Sequence, residues 1–155
     1  MNPQDVLKYG HLTLLGALGS FPAERREEPG AVGYWSVKNV VAHFASYELV
    51  LVEALENILA PCPTPLLEEF KADGQAFNDR QVDLLRRDAS FDQVLEEYTA
   101  AYARVESLAA RIRPDRWRQN GILSWYGADY DLEDFIAYTF YGHKREHSGQ
   151  IQVFR

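Results

Sequence analysis

Apolar residues recur at steps of three and four along four stretches of the chain, the spacing of helices with one buried face. Leu7, Leu14, Leu15 and Leu18 mark the first. Asn2 can cap it, and Pro3 suits a first turn where a missing N–H leaves nothing unpaired, so a helix is predicted over 2–19. The second stretch carries Val37, Val40, Val41, Phe44, Leu51, Leu55 and Ile58 behind a capping Ser36 and stops at Pro61, Pro63 and Pro65, predicting 36–59. Its first half is apolar on most sides, as in a central, well-covered helix.

The third opens on Ser90-Phe91-Asp92-Gln93, a capping box, and continues through Val94, Leu95, Tyr98, Tyr102, Val105, Leu108 and Ile112 to Pro114, predicting 90–112. The fourth, 131–153, shows Leu132, Phe135, Ile136, Thr139, Phe140, His143, His147, Gln150 and Ile151 on its inner stripe, with Phe154 next. Leu67, Phe70, Phe77, Val82 and Leu85 support a short helix or two between 66 and 87. No segment alternates with period two. The predicted fold is all-α: one domain, 1–155, built as a four-helix bundle, with a long, partly helical connection between the second and third helices.

Composition narrows the function more than the fold. Hydrophobic residues are 46% and charged residues 25% of the 155, which excludes wholesale disorder. A formal net charge of −7 argues against a nucleic-acid partner, whose phosphates need clustered Lys and Arg. No apolar run reaches the ~18 residues of a membrane span. The opening Met1-Asn2-Pro3-Gln4-Asp5 lacks the basic and apolar regions of a signal peptide, so a cytoplasmic location is expected. A single cysteine, Cys62, excludes a disulfide framework and any Cys-based zinc site.

The chemistry-bearing signal is histidine. His143 and His147 are four apart, which stacks them on one helix face. Both occupy stripe positions where Leu or Ile would be ordinary, and His43 does the same on the second helix, between Val40 and Tyr47. Buried imidazoles must satisfy their nitrogens. Convergence on one metal ion does so; separate hydrogen bonds in the core, or rings turned to solvent, are the alternatives.

Trp35-Ser36-Val37-Lys38-Asn39-Val40-Val41-Ala42-His43 resembles the start of the second helix in DinB-like (damage-inducible, YfiT-like) proteins, where such a stretch leads into a metal-ligand His. Tyr141-Gly142-His143-Lys144-Arg145-Glu146-His147-Ser148-Gly149-Gln150-Ile151 resembles that family's last-helix motif, His-x-x-x-His followed by x-x-Gln-hydrophobic. Phe77-Asn78, the segment Val94 to Ile112 and the Trp125 loop fit the same order, so the resemblance covers nearly the whole chain. It implies a metal triad of His43, His143 and His147 and a metal-dependent hydrolase or a transferase using a low-molecular-weight thiol cosubstrate. It also implies a homodimer. The alternative is a stress-related metal-binding or interaction protein of the same fold without turnover.

Other residues have plainer readings. Gln150, one turn past His147, can bond a metal-bound water or pack at the bundle rim. Glu48 and Glu146 are candidate general bases or hydrogen-bond partners of a metal-bound group, against the commoner solvated helix-face carboxylate. His11 matches no motif position, and Cys62 reads as an incidental loop thiol. Trp117, Trp125, Tyr126 and Tyr130 line a pocket mouth or pack their loop onto the bundle, while Arg25, Arg26, Arg86 and Arg87 read as solvated. Three neutral His leave an ion its full charge and an open position, the coordination of a catalytic site open to a small-molecule substrate. All-imidazole ligation suits zinc, nickel, copper or iron, and the sequence does not choose among them.

Overall fold

The computed structural model describes residues 2–155; Met1 lies outside them. Among the described residues there are helices and no strand, so the fold is all-α. The helix starts follow from local chemistry. In α1, Pro3–Gly19, the Asn2 side chain accepts from Gln4 N. In α2, Val37–Leu59, Ser36 and Asn39 form a reciprocal capping box, satisfying two donors that a helix end would otherwise strand. Just before it, Gly33 adopts φ +58°, a conformation costly for any residue with a Cβ, and turns the chain so that Val32 and Trp35 pair their backbones.

The connection after α2 holds α3, Pro65–Ala72, and α4, Gly74–Asn78, the latter running into a π-helical turn, Asp79–Leu84. The next long helix, α5, spans Phe91–Ala109 behind the Ser90–Gln93 box. It stops three residues short of the predicted Ile112. Its last carbonyls are taken by a tightened turn, Arg111 N to Leu108 O and Ile112 N to Ala109 O, and Pro114 opens the short α6, Pro114–Trp117. The predicted last helix is three segments end to end: α7, Leu132–Ile136, a π-helical stretch Ala137–Gly142, and α8, His143–Phe154.

α2 packs along α5, and α1 along α8 and the π-helical stretch before it; α2 and α8 approach closely only at a few points. The buried apolar side chains form two clusters. One contains Leu7, Leu51, Leu55, Val105, Leu132 and Phe140; the other contains Leu14, Val40, Phe44, Val94, Tyr98 and Ile151. Each long helical stretch contributes to both, so the clusters are two ends of one shared interior. Between them lies a polar layer: His43, Ser46 and Glu48 from α2, and Lys144, His147 and Ser148 from α8, all buried.

Two expectations about charge do not hold. Glu48 is completely buried and ion-paired with Lys144, which is itself only 1% exposed. Arg86 is also buried, where Glu97 takes it in a fork of 2.9 and 2.5 Å and Gln81 accepts two more bonds, at its side-chain and backbone oxygens, because a guanidinium leaves water only when its donors are matched. Trp125 and Tyr126 pack edge-on against Phe135, and Trp117 is buried, so of that loop Tyr130 remains exposed. Among the described residues no helix is long and apolar enough to cross a membrane.

Leu51 and Leu132 have no exposed surface, so Leu51→Ala or Leu132→Ala is expected to cost about 2–5 kcal/mol in urea unfolding. Val153→Ala, at a 91% exposed position, is expected to leave the midpoint nearly unchanged.

Candidate metal centre

His43 sits inside α2, 2% exposed, in the polar layer. The π-helical stretch ends at Gly142, so α8 begins on His143, and ordinary helical spacing then stacks His147 one turn later. The three rings meet. His143 Nε2 lies 3.2 Å from His43 Nε2 and 2.8 Å from His147 Nε2. One ligand atom from each falls within 4.8 Å of the others.

The far side of each ring is held. His43 Nδ1 donates to Asn78 Oδ1 at 3.1 Å, and His147 Nδ1 donates to Gln150 Oε1 at 2.5 Å. An amide oxygen only accepts, so these two nitrogens carry the protons and the Nε2 lone pairs point at the common centre. The Thr139 backbone serves the His143 ring in the same sense. Lone pairs converging at such distances repel one another unless a cation sits among them. The donor set therefore fits a divalent metal, with imidazoles oriented by outer hydrogen bonds.

Burial, then the neighbouring His143 and His147, holds His43 well below its ordinary 6.5. Burial, then His147, lowers His143 to about 4. Both rings are neutral at pH 7, the form that ligates a metal.

The triad forms one wall of an open cleft of about 320 Å³. Val32, Gly33, Tyr34 and Trp35 from the turn before α2 also line it, together with Tyr47, Gln75 and Asn78. Neither a carboxylate nor a cationic side chain lines it. Burial raises the Tyr47 hydroxyl above its ordinary 10, with a hydrogen bond from Asn78 pulling the other way, so Tyr47 stays protonated.

The remaining predicted residues stand apart from this cleft. Gln150 Oε1 holds the back of the His147 ring. Glu48 faces Lys144, and Glu146 is exposed on α8. His11 stacks on Tyr102 at 3.7 Å between centroids and bonds Tyr98 Oη, outside the triad. Cys62 lines a separate hollow with Leu59 and Leu108. The aromatic rim comes from Tyr34 and Trp35, not from the 117–130 loop. Sequence reasoning missed Asn78 and Tyr47 as site residues; Tyr47 is one turn beyond His43 on the same face, a signal that was there to use.

A family model described as the DinB superfamily matches residues 11–151, which include His43, His143 and His147. The chain belongs to the DinB superfamily. No curated protein matches it. No solved structure matches it either. Membership agrees with the resemblance carried by the Trp35–His43 and Tyr141–Ile151 motifs, and His43, His143 and His147 form a group that could hold a metal ion.

Because the folded-state pKa values of His43 and His143 lie below the unfolded 6.5, the unfolded chain takes up more protons in acid. Their contribution to stability is complete above pH 6.5 and falls away in acid below it, that of His143 down to about pH 4. The urea midpoint of metal-free protein is expected to drop across that window, and His143→Gln to flatten the slope.

Proposed function

We propose that this chain is a divalent-metal-dependent enzyme whose metal is held by His43, His143 and His147, and that it transfers a low-molecular-weight thiol to a small electrophile. The observation that carries the reading is the convergence of three Nε2 lone pairs on the wall of an open cleft, with the His43 and His147 rings anchored behind by amide oxygens. A zinc, nickel or iron ion held there supplies Lewis acidity, which makes a coordinated water or thiol far easier to deprotonate.

The chain's own residues supply the rest. Asn78 and Gln150 keep the His43 and His147 rings in the ligating tautomer. Trp35 and Tyr47 offer apolar surface to an electrophile, and the protonated Tyr47 hydroxyl offers a donor. Hydrolysis would call for a general base at the cleft. No carboxylate lines it, and Glu48 is committed to Lys144, so thiol transfer is favoured over hydrolysis. That same lack of an acid favours a second reading, a metal-binding protein of the same family without turnover.

The proposal extends to the assembly: a single domain over 1–155, a four-helix bundle that is a variant of the up-and-down topology, a homodimer and a cytoplasmic location. Sedimentation at micromolar concentration tests the dimer, and a lone 17.7 kDa species would remove it.

Protein purified without a His tag is expected to carry about one divalent ion per chain by elemental analysis, and His143→Ala to lose it. Asn78→Ala is expected to weaken affinity by roughly 10–100-fold, the usual effect of removing a partner that orients a ligand. Metal-loaded protein is expected to turn over with a small thiol and an electrophile. Bound metal without turnover across neutral, cationic and anionic thiols selects the second reading, and no bound metal ends both.

A further inference from the structure

The ion pair between Glu48 and Lys144 plays no part in that chemistry, yet among the described residues it is the most deeply buried ion pair. Glu48 is 0% and Lys144 1% exposed. The Tyr98 and Tyr102 rings lie 5.4 Å from Lys144 Nζ. On the α1 side Gly10 packs against the lysine stem, where even a Cβ would stand in ordinary contact with Lys144 Cδ, at 3.5 Å. Glu48 Oε2 has no hydrogen-bond partner, so the lysine is the sole compensation for the carboxylate.

Stability does not explain such a pair. Desolvating both charges offsets most of their attraction, and apolar replacements of similar volume are often neutral or stabilising. Its placement offers another explanation. Glu48 is on α2 and Lys144 on α8, the two helices that carry the ligands, five residues after His43 and one after His143. Those helices approach closely at few points, because α2 is packed on α5 and α8 on α1. Apolar contacts are non-directional and tolerate slippage. A buried Glu and Lys tolerate none, since a slip by one residue or a 100° turn leaves two unpaired charges in the core.

We propose that Glu48 and Lys144 are positioning residues that fix the register and rotation of α8 against α2, and thereby bring His43 to His143 and His147. The proposal rests on the reading of the triad as a metal site, but its geometric content is independent of the ion. The rotation that buries Lys144 is the one that leaves His143 facing the cleft and His147 beside it.

The test compares wild type with E48Q/K144M, which removes both charges at nearly constant volume, and with E48K/K144E, which restores the pair in reverse. Three readouts are taken: the urea midpoint, zinc affinity by chelator competition together with the visible spectrum of the cobalt form, and crystal structures of the metal-free proteins. E48Q/K144M is expected to unfold at or above the wild-type midpoint, yet to bind zinc at least about tenfold more weakly, as when ligand orientation is lost. Its cobalt spectrum should change, and its three Nε2 atoms should no longer lie within the 4.8 Å of wild type. E48K/K144E is expected to return the affinity toward wild type. A neutral double variant with wild-type affinity, spectrum and ring positions overturns the proposal. If that variant does not fold, E48D decides: it keeps both charges but draws the carboxylate back, so weakened zinc binding supports the proposal and unchanged binding overturns it. If wild type binds neither zinc nor cobalt, the metal reading fails, and the crystal positions of the rings alone decide the register.

Discussion

A helical interior that contains a carboxylate, an ammonium and three imidazoles holds together only if each polar group finds its own partner away from water. That requirement organises this molecule. The polar layer crosses the middle of the fold, and the apolar side chains divide around it into two clusters that share the same helices. Lys144 meets Glu48, His43 meets Asn78, and His147 meets Gln150. At the cleft, what those bonds leave over is the set of Nε2 lone pairs turned toward one another, and that remainder is the chemistry of the site.

The local devices around the layer serve its geometry. Capping at Ser36 starts α2 immediately after the turn that helps line the cleft, so one short segment sets both the helix that carries His43 and part of the cleft lining. Two π-helical stretches adjoin the site: one follows Asn78 and the other ends at Gly142, one residue before His143. Such turns change the phase of a helix and recur where a function asks for a side-chain direction that regular spacing does not supply. Here the inner face passes from Phe135, Ile136 and Phe140 to His143, Lys144 and His147 across one of them.

Much of this was legible along the chain. The helix starts at Asn2, Ser36 and Ser90 were readable because capping is local chemistry, and the inward placement of His43, His143 and His147 was readable because helical periodicity carries it. The ion pair was missed although the pattern held a trace of it. The apolar stripe of α2 runs from Phe44 to Leu51 with a gap that Glu48 fills, and Lys144 lies one turn from both Phe140 and Ser148 on α8. A charge on an apolar stripe is read as solvated unless a complementary charge is sought on the facing stripe. Asn78 left no trace of its role, since it lies in the connection, where no periodicity assigns a facing partner.

By itself the sequence determined the all-helical class, where the long helices begin, and which histidines face inward, because these depend on interactions within a few residues. The tertiary structure decided the rest: which nitrogen of each ring is free, that Gln150 supports a ring, that Glu48 is bound to Lys144, and that Trp35 rather than Trp125 borders the cleft. Those outcomes depend on how α2 and α8 sit against each other across a hundred residues of intervening chain. A one-residue shift in that packing leaves every local preference satisfied and pulls the three nitrogens apart.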